Sequence, residues 1–237
     1  MHDIGTLERA KSYLATQMKR TSAFPHGKAS RSGPFVTISR ETGAGSSAFA
    51  AALVVRLNAA RSPDEPPWTL FDRNLVETLL NDLELSPQLA RFLPEAAVSE
   101  IDSSVGEISG IHPNLWQLTR RTNDMMRELA RRGHAIIVGR GGNFVTQALS
   151  GGCHVRLVAP REVRVARMQA LLKVNESTAA THVRRTDQAR ADYVSSVFDA
   201  NLTEPSAYDL ILNTARITPT AGARLVAEVL ATAEVAG

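Results

Sequence analysis

Residues 35–49 read FVTISRETGAGSSAF. An apolar run, Phe35 to Ile38, passes into a turn with Gly43 and Gly45, then into Ser46-Ser47 and a helical pattern. Strand, glycine turn and helix in that order wrap backbone N–H groups around a phosphate and aim a helix N-terminus at it. A Walker A motif has the form G-x-x-x-x-G-K-[ST]. Aligned on Gly45, this chain has Arg40 at the first glycine, Ser46 at the lysine and Ser47 at the hydroxyl. Arg40, Gly43, Ala44, Gly45, Ser46 and Ser47 are therefore the candidate nucleotide-phosphate residues, with Ser47 also the candidate Mg²⁺ ligand. The usual cation is missing, and an arginine must supply its charge.

Working outward, strand and helix alternate. A helix is expected from Ser46 to Ala60, and strand 68–71 (WTLF) ends at Asp72-Arg73. Residues 74–82 and much of 86–132 read as helix, with Leu115, Leu118, Met125, Met126 and Leu129 on the last segment. Strand 135–138 (AIIV) runs into Gly139-Arg140-Gly141-Gly142 and should lie beside the first strand. A short helix, strand 153–159, a helix begun by Pro160, an arginine-rich helix over 176–199, strand 208–213 and a helix over 218–235 complete the pattern. Continuously apolar strands between helices predict a three-layer α/β/α fold around a parallel five-stranded sheet, with ligands at the carboxyl ends of the strands. Residues 1–34 read as a separate arm: a short amphipathic helix over 5–20, then a Ser/Gly/Pro-rich linker. The arm could dock on its own domain, pair with another subunit to make a homodimer, or fray.

Composition narrows the function classes. The 237 residues suit one α/β domain with additions. No apolar stretch approaches a membrane span and no signal peptide opens the chain, so a cytoplasmic location is expected. Cys153 is the sole cysteine, which excludes an internal disulfide. Lysine occurs only as Lys11, Lys19, Lys28 and Lys173 among 27 basic residues. Lys173 is expected mid-helix, remote from the loop. Arginine is the better bidentate partner for phosphate. The formal charge of +3 suits anionic ligands of any size. With 5% aromatic residues the chain lacks the stacking surface of a nucleic-acid binder.

Further motifs carry arginine. Arg140 sits between glycines at a strand end, where it can meet an acceptor or a transferring group. In Arg184-Arg185-Thr186-Asp187-Gln188-Ala189-Arg190, a helix brings Asp187 within reach of Arg184 and Arg190, so one carboxylate could orient two guanidinium groups. Arg185 and Arg190 could then neutralise a phosphoryl group from a lid. Asp72 and Arg73 could face an acceptor; an N-cap at Asp72 explains them equally well. The six histidines show no metal-ligand spacing, and His154, alternating within an apolar strand, reads as structural.

In their order, TISRETGAGSS, LFDRNLVE, AIIVGRGGNFV, VRLVAPREVRVARM, RRTDQARADYV and YDLILNT resemble the cytidylate kinase-like family, a branch of the nucleoside monophosphate kinase group of P-loop proteins. The resemblance spans about residues 35–230. It implies a core domain over 35–237, a helical acceptor-binding insert at about 74–132 and an arginine-bearing lid at about 176–199. It also implies ATP as donor with Mg²⁺. Cytidylate kinases carry the loop lysine and acidic residues that help read the cytosine ring; the corresponding positions here are Ser46, Val138 and Gly141. The phosphate-handling parts are partly retained and the base-reading parts are absent.

The expected activity is ATP-dependent phosphoryl transfer to a small acceptor, a nucleoside monophosphate or another phosphorylated or hydroxylated metabolite. Arg40 stands for the lysine, Arg140, Arg185 and Arg190 meet the acceptor or transferring group, and Asp187 holds the lid arginines. Two alternatives are a nucleotide-binding regulator that has lost turnover and a nucleic-acid-binding adaptor.

Overall fold

The computed structural model describes residues 33–72 and 113–233. The arm up to residue 32 and the segment 73–112, with Arg73 and that part of the proposed insert, lie outside the described residues. The elements are β1 (Phe35–Arg40), α1 (Ser46–Ala60), β2 (Thr69–Phe71), α2 (Pro113–Arg132), β3 (Ala135–Val138), α3 (Gly142–Thr146), β4 (Gly152–Val158), α4 (Arg161–Leu172), α5 (Glu176–Phe198), β5 (Leu210–Asn213) and α6 (Pro219–Ala233). A 3₁₀ turn at Pro205–Ala207 precedes β5 and moves its start to Leu210, two residues later than the apolar run suggests. Pro160 is the N-cap of α4 and stands just outside its first turn.

The five strands are parallel in the order β2-β3-β1-β4-β5. β1 is central: Phe35 to Ile38 pair with Ala135 to Val138 on one side and with Gly152 to Val155 on the other. Because side chains alternate across a strand, Val36 and Ile38 join Val155 and Leu157 on one face. There α1 and α6 pack through Phe49, Leu53, Leu57, Val226 and Leu230. Each such buried side chain contributes about 1.5–3 kcal/mol relative to exposure. On the opposite face α3 lies over Thr37 and Ile137, and α2 is anchored by Met125, Met126 and Leu129, all fully buried.

After β1 the chain visits β2 and β3 on one side, then crosses to β4 and β5 on the other. The carboxyl end of β1 is therefore the topological switch point, where open α/β sheets bind ligands. The loop 41–45 begins there.

Candidate functional site

The loop is shaped by what packs behind it. Gly43 has φ +80, and a Cβ there would run into the Arg164 backbone carbonyl. Only glycine accepts both the angle and the approach. Ala44 is buried, and α1 starts at Ser46 with no side-chain cap. The first N–H groups of a helix have no partner inside it. Among the described residues, the N–H groups of Gly43, Gly45, Ser46 and Ser47 and both serine hydroxyls meet no protein acceptor. Such a turn is a ready anion cradle.

Thr42 is held differently. Its N–H and its Oγ1 each donate to Asp187 Oδ1 at 2.7 Å. The second carboxylate oxygen, Oδ2, accepts from Arg164 Nη1 at 2.6 Å. Arg164 Nε lies 3.2 Å from Glu41 Oε2 and donates to Ala159 O at 3.0 Å. Arg190 Nη1 donates to Thr42 Oγ1 at 2.7 Å and lies 3.4 Å from Asp187 Oδ1. Burial pulls the Arg190 pKa down, and the Asp187 carboxylate opposes that pull. One carboxylate thus ties α5 to the loop and to α4. Asp187 does hold Arg190, but its second guanidinium is Arg164 from α4. Arg184, expected in that role, is exposed and has no polar partner among the described residues.

The loop separates two cavities. The first, of about 340 Å³, is lined by Arg40, Arg140 and Arg190 together with Ser39 and Tyr193. No carboxylate lines it among the described residues. Its wall is a strained turn: Gly139, Arg140 and Gly141 take φ of +87, +56 and +66. A non-glycine residue at positive φ costs about 1–3 kcal/mol and concentrates at functional sites. A Cβ on Gly139 would overlap the Arg40 guanidinium, so this glycine gives that arginine its place. The second cavity, of about 290 Å³, opens beside Gly45, Phe49, Arg167, Leu212 and Thr214. Arg167 donates to Gly43 O at 3.3 Å, Thr214 Oγ1 at 3.0 Å and Thr214 O at 2.8 Å.

The sequence-derived residues thus divide. Arg40, Arg140 and Arg190 share one cavity, with Asp187 bonded to Arg190 and the loop. Gly43, Ala44, Gly45, Ser46 and Ser47 form the turn beside it. Arg185 is exposed on α5 and has no polar partner among the described residues. Asp72 is exposed at the end of β2. Lys173 is the exposed C-cap of α4, at φ +55, and not a mid-helix residue. Val138 and Gly141 border the strained turn without a carboxylate.

Thr42, Arg164 and Arg167 escaped the sequence reading. Arg164 and Arg167 stand three apart in VRVARM, a spacing that places both on one face of α4. That signal was present in the motif. Thr42 gave none, because its role depends on a residue 145 positions away. His154 is structural as expected: Thr37 Oγ1 and its Nδ1 are 2.8 Å apart, and burial lowers its pKa against the opposing Asp209. Cys153 is buried and its thiol is pushed up to about 12, so it is inert. Among the described residues no helix is long and apolar enough to cross a membrane, and no group of three or more His, Cys, Asp or Glu could hold a metal ion.

Known proteins share parts of this chain. A crystal structure of an uncharacterized protein from Eubacterium ventriosum superposes with a TM-score of 0.61 at 14% identity, covering 83% of this chain and 98% of that one. A shikimate kinase from Bacteroides thetaiotaomicron covers 83% of this chain and 98% of its own at a TM-score of 0.45 and 14% identity. A uronate isomerase of Corynebacterium glutamicum is 25% identical over 117 residues, 49% of this chain. The chain spans about a fifth of the length of that curated relative, 22% of it. The model of the cytidylate kinase-like family matches residues 35–216 and takes in the loop, the strained turn, Arg164 and Arg167 of α4 and the Asp187 tie. The chain belongs to the cytidylate kinase-like family.

Proposed function

We propose that this protein transfers the γ-phosphoryl group of ATP to a phosphate oxygen of a small phosphorylated acceptor. The observation that carries the reading is the loop itself, standing between two cavities with a row of N–H groups unclaimed by acceptors among the described residues. The cavity beside Gly45 and Phe49 would take the donor nucleoside, and the turn Gly43 to Ser47 its phosphates. The arginine-lined cavity would take the acceptor. Mg²⁺, entering with the nucleotide, would meet the Ser47 hydroxyl and neutralise phosphate charge.

The chemistry asks little beyond position and charge. The acceptor oxygen bonds to the γ-phosphorus, the bond to the β,γ-bridging oxygen breaks, and ADP leaves. A phosphate oxygen is already ionised, so the step needs no general base. This suits a cavity whose described lining holds no carboxylate. Arg40 and Arg167 flank the loop from opposite sides and would supply the charge of the missing lysine. Arg140 and Arg190 would meet the acceptor phosphate. Asp187 would act as a positioning residue, bonded to Thr42 and Arg190.

A screen of phosphorylated and hydroxylated metabolites with labelled ATP and Mg²⁺, reading labelled product, tests this. Product from a phosphorylated acceptor is expected, with CMP a poor substrate because Val138 and Gly141 offer the cytosine ring no carboxylate. ATP binding without product from any acceptor would favour the regulatory reading and overturn this one.

A further inference from the structure

Behind the acceptor cavity lies a fourth arginine. Arg156 projects from β4 opposite Ser39 of β1 and is only 6% exposed. Its Nη1 donates to Ser39 Oγ at 3.2 Å and Tyr208 Oη at 3.5 Å, and its guanidinium carbon sits 5.5 Å from the Tyr208 ring centre. Tyr208 Oη in turn donates to Leu202 O at 2.8 Å. Ser39 and Leu202 both line the cavity. Arg156 therefore lies under the cavity floor, one hydroxyl away from its contents.

Among the described residues no carboxylate answers it. Arg164 pairs with Glu41 and Asp187, and Arg190 with Asp187, but Arg156 forms no ion pair among the described residues. A guanidinium stays charged, and burying a charge against hydroxyls and a ring alone is costly. A fold tolerates that cost where a ligand supplies the counter-charge.

We propose that the acceptor carries a second anionic group, a carboxylate or a further phosphate, which is read at the cavity floor by Arg156 through Ser39 and Tyr208. The inference rests on the acceptor reading above. Arg40, Arg140 and Arg190 account for the acceptor phosphate and the transferring group. Among the described residues Arg156 is the further cation beside this cavity, and it makes the substrate class a small bis-anionic metabolite.

Calorimetry with three-carbon probes, without ATP, tests the idea. Glycerol 3-phosphate carries one anionic group, 3-phosphoglycerate adds a carboxylate, and propane-1,3-diol bisphosphate adds a phosphate. The parent protein should bind one or both two-anion probes at least about tenfold tighter than glycerol 3-phosphate, which corresponds to 1.4 kcal/mol. The better of the two identifies the second group. Arg156→Met should erase the preference and leave glycerol 3-phosphate within about twofold; Arg156→Lys should keep part of it. Thermal melting separates this from a structural role. Removing an unanswered buried charge should leave the melting temperature unchanged or raise it, whereas a structural arginine would lower it by more than about 2–4 °C. A parent protein without the preference, a Met variant that keeps it, or a Met variant that melts lower or fails to fold would each overturn the proposal. If the labelled-ATP screen yields no product while the preference and its loss hold, phosphoryl transfer fails and the bis-anionic site stands. Product without the preference has the opposite meaning.

Discussion

Replacing Asp187 by alanine should loosen the loop and the helix α5 together. The carboxylate accepts from Thr42 N, Thr42 Oγ1 and Arg164 at 2.6–2.7 Å and touches Arg190 at 3.4 Å. Breaking a fully buried ion pair by deleting one partner costs about 3–5 kcal/mol, and hydrogen bonds to charged groups contribute about 1.5–3 kcal/mol. Asp187 is 28% exposed and Arg164 11%, and Arg164 keeps Glu41. Solvent and that second carboxylate reduce the loss, so we expect about 2–3 kcal/mol. For a domain of this size each kcal/mol shifts the melting temperature by about 2–4 °C, giving a fall of about 5–10 °C. Urea unfolding should show a lower midpoint at an unchanged slope. Asp187→Asn keeps an acceptor for Thr42 N and should recover part of the loss. An alanine variant within about 0.5 kcal/mol of the parent would refute the view that this residue ties the loop, α4 and α5 together.

Arg40→Ala should lower turnover by about 10³, comparable to losing an arginine finger, and Arg40→Lys should restore only part because the planar fork is lost; parental turnover in a normally melting variant would shift the role to Arg167 or Arg140. Gly43→Ala should weaken ATP binding by at least about tenfold, since its Cβ falls on the Arg164 carbonyl at φ +80. Gly45→Ala carries the same left-handed strain at φ +75 but meets no backbone, the nearest atom being Arg167 Nη1 at 3.6 Å, so it should be milder in the same calorimetric titration; equal losses would contradict the packing argument. His154 has a pKa lowered by burial, so between its folded pKa and about 6.5 the unfolded chain binds more protons. Stability should therefore fall as pH drops below about 6.5, and His154→Gln should flatten that dependence in unfolding titrations. A variant with the parental slope would place the proton uptake elsewhere.

The sheet is legible because its strands are rich in apolar residues: strand 135–138 matches β3 to the residue, and the apolar run Phe35 to Ile38 lies within β1, which continues to Arg40. Glycine and serine spacing located the loop, and Gly139-Arg140-Gly141 located the cavity wall. Lateral partners were harder to read. A helix model of α5 offers Asp187 both Arg184 and Arg190, and nothing local says that Arg164, from another helix, displaces Arg184. Arg156 sits in an apolar strand, where an arginine reads as an edge residue, yet two hydroxyls from distant segments take it in at 6% exposure. Charge partners across elements are fixed by packing, and packing is not written in any one stretch of chain.

A Walker loop with its lysine carries its own cation, so a short strand–loop–helix fragment already holds the essentials of phosphate binding. In this chain the positive charge is dispersed: Arg40 closes β1, Arg140 stands after β3, Arg167 lies on α4 and Arg190 on α5. Arg40, Arg140 and Arg190 come to one cavity, with Arg167 on the other side of the loop, only when the sheet is closed on both sides of β1 and α5 is docked. On the proposed reading, anion affinity would belong to the finished fold and to no fragment. A ligand that binds solely the finished fold stabilises it by mass action, so phosphate-bearing ligands should protect segments 150 residues apart in sequence as one cooperative unit.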